Sequence, residues 1–477
     1  ASWRLKFLIL LFYFNAVPTI IVGVLAAVAS LLSRWSADTQ LLSEYERSGR
    51  AGGPQNTKVQ LFQNLKCWYV IKDYHRAMPL GFMAMLLVLF SWHHVTASVA
   101  CLRRSIFFDK VCIHQTDAEK KQEGIKSLGG IINKSKSVLV AWDTSYFRRL
   151  WCTYELSAFH SCHPNGKIRV LPVQLSGFLV AAIASMVAIN AFDDWIDNYH
   201  LSWYKFAAAK LLEVLPLALA TRWVRKYLQH VNRLHDSLLN FSVRNAECFC
   251  CDVLENHMLT VQDEEPFQIP CDRRIIYASI AAHHGNGDED RGLKRFDRIV
   301  QGQLRKSLDC TLGKRSLVPY EFTLLTSLPN LLREIDYLYV GTGSWRHLIL
   351  CSEVFLMRHP LLVVLYLHIV RILTVANGDK PALLLQFRKA SARTGQGLSE
   401  SVPEQPRQAH KRREYCLEVC IGAACGILHG SLNFFGDWVL QCGHEACVIW
   451  ILVELILSLW CFNAEEVVRQ FFQQPTR

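Results

Sequence analysis

Several sets of residues in this chain have types and spacings that suit chemistry. Cys248-x-Cys250-Cys251, followed by His257 and Cys271, gathers ligand types that bind a borderline cation such as zinc. The run lacks a paired CxxC, so reduced thiols packed together, or cysteines acylated near a membrane, account for the same residues. Cys112, His114 and Asp117 also have ligand chemistry. Their spacing fits no zinc pattern and no fourth ligand is close in sequence. Alternate residues on an extended chain point apart, which argues against a Cys112–His114 thiol pair. No metal site is therefore assigned. Trp151 and Glu155 stand one helical turn apart, an aromatic ring and a carboxylate on neighbouring faces. Arg148 and Arg149 are near enough to neutralise that carboxylate. Finally, His93, His94, Glu418 and Glu454 fall within or at the ends of apolar runs. Ionisable groups are costly there and line proton or ion paths in many membrane proteins. Each facing a neighbouring helix in its neutral form is the plainer account.

Elements that would position Trp151 and Glu155 can be read between Ile106 and Val173. An apolar run ending in an acid, Ile106-Phe107-Phe108-Asp109, reads as a strand. Ala118 to Lys134 carries Ile125, Leu128 and Ile132 at helical spacing. Ser137 to Trp142 is a second apolar run, and Phe147, Trp151, Tyr154 and Ala158 follow with helical spacing. Ile168 to Val173 closes the unit. Strand, helix, strand, helix, strand predicts a small parallel sheet with right-handed crossovers. Ligands of such sheets sit at the strand carboxyl ends, here the loops that begin at Asp109 and Asp143.

The same segment resembles a TIR domain. The resemblance rests on FFDK at 107–110, Gly124-Ile125, Leu128, Ser135, Val138-Leu139-Val140, Tyr146, Trp151-Cys152 with Glu155-Leu156, and Leu171-Pro172-Val173. They follow the order of strand B, helix B, strand C, helix C and strand D. Asp109 to Asp117 is also similar to the HET domain of fungal incompatibility proteins, a variant met in multi-pass membrane proteins of protists. The resemblance spans about residues 105–173, and strands A and E are not recognisable. It implies that Glu155 takes the place of the catalytic glutamate of NAD-cleaving TIR enzymes, with Asp109 and Trp151 shaping the NAD pocket. Cleaving the ribose–nicotinamide bond builds positive charge on the ribose, which a preorganised carboxylate stabilises.

Composition sets the class of the whole. Of 477 residues, 51% are hydrophobic and only 19% charged, and several runs approach the length that crosses a bilayer. The fold class expected is an α-helical multi-pass membrane protein with a small cytosolic α/β insertion of TIR type. Spans are read at 7–32, 79–101, 171–192, 415–435 and 446–462, with a weaker one at 201–220. Residues 348–376 break at Arg358-His359-Pro360, which suggests a hairpin or re-entrant segment. The loop 102–170 carries twelve Lys or Arg, whereas 193–200 and 436–445 carry none. That asymmetry places the first on the cytosolic side and the others outside. The domains expected are a membrane region 1–104, the TIR-like domain 105–173 and a membrane hairpin 171–222. A cytosolic, mostly helical domain at 223–346 follows, then the 347–376 segment and a disordered basic linker at 377–414. A C-terminal hairpin at 415–463 and a tail at 464–477 complete the chain.

The net charge of +11 is spread over loops, and no basic run interleaved with aromatics points to nucleic acid. The 17 cysteines lie largely in apolar segments or in the α/β unit, which fits a reducing compartment rather than a disulfide framework. The functional expectation is a membrane-anchored signalling or assembly scaffold whose TIR-like unit self-associates, through faces such as that of Lys120 and Lys121. The lipid bilayer is the other partner. The alternatives are an NAD glycohydrolase using Glu155, with NAD as substrate, and an ion or proton transporter.

Overall fold

The computed structural model describes residues 3–47, 77–99, 105–108, 112–114, 117–198, 214–252, 258–259, 267–268, 271–313, 316–340, 354–376, 452–453 and 456. It is mostly helical, with a small parallel sheet of two strands. The chain forms two compact units. One comprises Ala1–Leu10, His93–Ser176 and Tyr227–Lys314; the other comprises Leu11–Trp92, Gly177–Lys226 and Arg315–Arg477.

The first unit contains the sheet. Helix α3 (Ala118–Lys134) is capped by Asp117, whose carboxylate accepts the Lys120 N–H at 3.2 Å. It buries Leu128 and Ile132 and turns Lys120, Glu123, Ser127 and Lys134 to solvent. Strand β1 (Ser137–Trp142) pairs in parallel with β2 (Lys167–Pro172), from Ser137 opposite Lys167 to Trp142 opposite Pro172. Helix α4 (Leu150–Cys162) makes the crossover and buries Leu150, Leu156, Ala158 and Phe159. Gly166 lets β2 start close beneath it, because a Cβ there would stand 2.7 Å from the Phe159 ring.

One expected strand is not there. Ser105–Phe108 joins no sheet among the described residues, and Ile106 and Phe108 are 56% and 42% exposed. The chain turns instead: the Cys112 N–H donates to the Phe108 carbonyl at 2.8 Å, and the Phe108 N–H to Cys112 Sγ at 3.4 Å. A TIR sheet is centred on strand A, which is not recognisable in this sequence. Among the described residues no strand takes that central place, so the run has no ladder there to join, however apolar it is.

The rest of this unit clads the sheet with helices. The later turns of α6 (Val214–Leu239) bury Tyr227, Leu228, Val231, Leu234 and Leu238 at helical spacing. A single turn, α7 (Phe249–Asp252), and a short hairpin of β3 (Met258–Leu259) with β4 (Phe267–Gln268) lead to α8 (Asp272–Gly285). Helix α9 (Glu289–Ile299) packs back on α8 so closely that a Cβ on Gly292 would lie 2.7 Å from the Ala281 Cα. A π turn at Val300–Leu304 leads into α10 (Arg305–Leu312), where the Ser307 hydroxyl donates to the Ile168 carbonyl of β2.

Four described helices contain stretches apolar and long enough to cross a membrane: Trp3–Ser33, Met78–Ser98, Gln174–Phe192 and Phe355–Ile372. They lie in α1 (Trp3–Arg47), α2 (Ala77–Ser98), α5 (Gln174–Asn198) and, after α11 (Tyr320–Val340), in α12 (His359–Ala376) with its preceding π turn. The span read from Leu171 begins three residues later, because Leu171 and Pro172 belong to β2. The break read at 358–360 is a change of winding from the π turn Val354–Arg358 to α12, not a reversal of the chain. Within the second unit, Gly81 lets α2 approach α1: a Cβ there would meet the Gly23 carbonyl at 3.1 Å. Asn15 donates to the Leu89 carbonyl at 2.7 Å across the same contact. The spans read at 415–435 and 446–462, and the linker 377–414, fall essentially outside the described residues, as does most of 201–220.

Candidate functional site at the sheet edge and helix α4

The carboxyl ends of β1 and β2 are where a parallel sheet offers a site. Here the β1 end is already filled. Asp143, the residue after β1, is 3% exposed and forms an ion pair with Lys6 of α1 at 2.6 Å. Its carboxylate also accepts the Ser145 hydroxyl at 2.6 Å and the Ser145 N–H at 3.0 Å. Burial by itself would raise the Asp143 pKa, but the hydrogen bonds from Lys6 and Ser145 and the Lys6 charge outweigh it and hold it at about 2. Beside Asp143, Trp142 is 1% exposed and meets the ring of His230 edge to face, with centroids 6.1 Å apart. Burial pushes the pKa of His230 down, with Arg233 adding to the effect. At the β2 end, the Val173 N–H continues the ladder to the Trp142 carbonyl at 3.0 Å, and Ser176 donates to the Leu5 carbonyl at 3.1 Å. The first turns of α1 are thus bound to both strand ends.

Helix α4 places the other candidates. Glu155 is half-buried on it. The indole N–H of Trp151 donates to the Asp272 carboxylate at the start of α8, at 3.1 Å, and its ring meets Tyr154 edge to face. Of the two arginines that sequence places near Glu155, Arg148 forms an exposed ion pair with Glu247, and Arg149 lies over the Tyr146 ring at 5.6 Å. Further along α4, buried Ser157 bonds the His284 ring at 3.0 Å, and His160 bonds Gln303 at 2.7 Å. His284 is 5% exposed and stacks on Phe296. Burial, reinforced by the neighbouring His160, pushes its pKa down to about 4, so it is neutral at pH 7. Helix α4 is therefore covered by α8 through polar contacts at both ends.

Asp109, the third residue that the resemblance assigns to an NAD pocket, lies outside the described residues. The other expected sites separate into those brought together and those not. Cys248, Cys250 and Cys251 cluster, with Cys271 beside them, whereas His257 is outside the described residues. Cys112 and His114 are exposed and bonded to different groups, Cys112 to Phe108 and His114 to the Asp117 N–H at 2.9 Å. The His93 and His94 rings lie tilted to one another, with centroids 4.0 Å apart, on an exposed face of α2. Glu418 and Glu454 are not described. The second unit does hold a buried polar pair in an apolar setting: the Asn330 amide is 3.1 Å from the His359 ring, lining a cavity of about 80 Å³.

Sequence reasoning named the loop after Asp143 but missed its partner. Lys6 was the available signal: a cation at the edge of the apolar run that starts at Phe7 needs a counter-ion. Asp272 and His284 carried no such signal, since their roles arise from contacts more than 100 residues away.

No curated protein and no solved structure matches the chain. The family model of the TIR domain matches residues 94–178, the stretch that holds the β1–β2 sheet, Asp143 and α4, so this segment is a TIR-like domain of limited extent within the chain.

Proposed function

We propose that this protein is a membrane-anchored signalling or assembly module, in which the TIR-like domain works as a binding surface rather than as an enzyme. The observation that carries this reading is the Lys6–Asp143 ion pair. It occupies the strand end at which a nucleotide would sit, and it comes from the helix that contains the first candidate span. A surface function needs no open pocket there and tolerates a sheet of two strands. Self-association is the mode that TIR domains commonly use, and the solvent face of α3 is available for it. The twelve lysines and arginines of 102–170 support a cytosolic position for this domain. The glycohydrolase reading rests on Glu155 and requires Trp151 to leave Asp272.

Self-association is tested by cross-linking the full chain in lipid vesicles at varied protein-to-lipid ratio. Charge reversal on the α3 face, Lys120→Glu with Glu123→Lys and Lys134→Glu, should reduce the cross-linked dimer severalfold while leaving the helical content unchanged. Dimer yield that is unchanged in these variants and in reversals on the other exposed faces of the domain would remove the assembly reading.

A further inference from the structure

We propose that Cys248, Cys250, Cys251 and Cys271 form a tetrathiolate site for a zinc-like divalent cation, which clamps α7 to the start of α8. The sequence makes this cluster look like a crowd of thiols, since two ligands are adjacent and the fourth is 20 residues away. Folding converts it into a site. Sγ of Cys248 lies 3.2 Å from that of Cys250, Cys250 lies 3.8 Å from Cys251, and Cys251 lies 3.5 Å from Cys271. The sulfurs of Cys248, Cys250 and Cys251 all lie within 4.8 Å of one another. Tetrahedral zinc with sulfur at about 2.3 Å sets its ligand sulfurs about 3.8 Å apart. These pair separations run from 3.2 Å up to that edge length, so an ion would need to spread the closest pair by only a few tenths of an ångström, and all are far longer than the roughly 2.05 Å of a disulfide.

The surroundings suit a metal thiolate. Cys248 and Cys250 are 2% and 0% exposed, so two ligands are already shielded from water, while Cys251 and Cys271 sit at the partly open side through which an ion would enter. The Asp272 N–H, in the first turn of α8, donates to Cys250 Sγ at 3.3 Å. Asp252 holds the backbone of the turn, accepting the Cys248 N–H at 2.6 Å, and pairs with Arg273 at 3.1 Å. Arg273 also donates to the Ala246 carbonyl at 3.2 Å, yet its buried Nε has no acceptor among the described residues. Four thiolates around a divalent cation carry a net charge of about −2. A guanidinium with a spare donor beside them is the kind of outer group that offsets such charge and fixes the ligands. Deprotonation of the four thiols releases four protons to solvent, and no electron is transferred.

The site lies outside the sheet edge and α4, so it can be tested apart from the assembly reading. The full chain, purified anaerobically in detergent, would be analysed for metal by mass spectrometry, then stripped and titrated with Co(II), followed by Zn(II). About one zinc per chain is expected, with the intense thiolate-to-cobalt charge-transfer absorption of a tetrahedral sulfur site that zinc then bleaches. Cys248→Ser and Cys271→Ser should each weaken binding more than about 10-fold, at least the loss expected for disturbing an outer-shell partner. Cys271→His, which keeps a ligand, should retain metal with a shifted spectrum, and Cys162→Ser, an exposed thiol elsewhere, should change nothing. Stripping should speed proteolysis between 252 and 271. No retained metal and no cobalt–thiolate absorption, in a chain whose four thiols are alkylated freely or are found oxidised, would overturn the site.

Discussion

Replacing Lys6 by Met should destabilise the TIR-like unit by about 3–5 kcal/mol, the cost typical of removing one partner from a buried ion pair. Asp143 would keep its Ser145 hydrogen bonds, but a carboxylate only 3% exposed would lose its cation. Denaturant unfolding in detergent, followed by tryptophan fluorescence, reads the change. The double variant Lys6→Met with Asp143→Asn should recover much of the loss, because no bare charge is then left inside. An equal loss in the single and double variants would mean that Lys6 acts through packing alone. Acid provides a second handle. The folded pKa of Asp143 is depressed to about 2, so its contribution is complete above the ordinary carboxylate pKa near 4 and is lost as pH falls from there through about 2. That interval is worth about 2 kcal/mol. In Lys6→Met the carboxyl pKa should rise and the acid loss should begin at higher pH.

Mild acid should act earlier and elsewhere. His284 has a folded pKa of about 4 against an ordinary value of 6.5, so the unfolded chain binds its proton first as pH falls. Stability is therefore full above about 6.5 and declines by about 3 kcal/mol as pH is lowered to about 4. The protein faces this by burying a neutral imidazole against Phe296, hydrogen-bonded to Ser157. His284→Gln keeps a group able to bond Ser157 and removes the titration. Its unfolding free energy should change much less between pH 7 and 4.5 than that of the wild type. A slope unaltered by the substitution would assign the acid sensitivity to another group.

The sequence makes much of this unit legible, and the reason is periodicity. Ala118–Lys134 is helical over the range read from the spacing of its apolar residues, and Ser137–Trp142 forms a strand as its apolar run implies. Both elements are locally determined, by a cap and a 3.6-residue stripe in one case and a β-branched run in the other. Ile106–Phe108 fails for a reason that no local pattern holds: a strand needs a partner, and this run has none among the described residues. The same logic separates the candidate residues. Glu155 and Trp151 share a helix and were found together by spacing. The Asp143–Lys6 pair spans 137 positions, and the Cys251–Cys271 approach depends on how α7 meets α8. Long-range polar pairs depend on tertiary structure, and composition shows only that a charge beside a long apolar run requires a partner.

Whether the domain catalyses is the question on which the functional account depends. Nicotinamide release from NAD should be followed with the full chain in lipid vesicles, at several pH values and protein densities, for wild type and Glu155→Ala. The account predicts no release that depends on Glu155, because Lys6 fills the strand end and Trp151 is held by Asp272. Steady release by the wild type that disappears in Glu155→Ala would contradict it, and would identify an enzyme that opens this edge to bind its substrate.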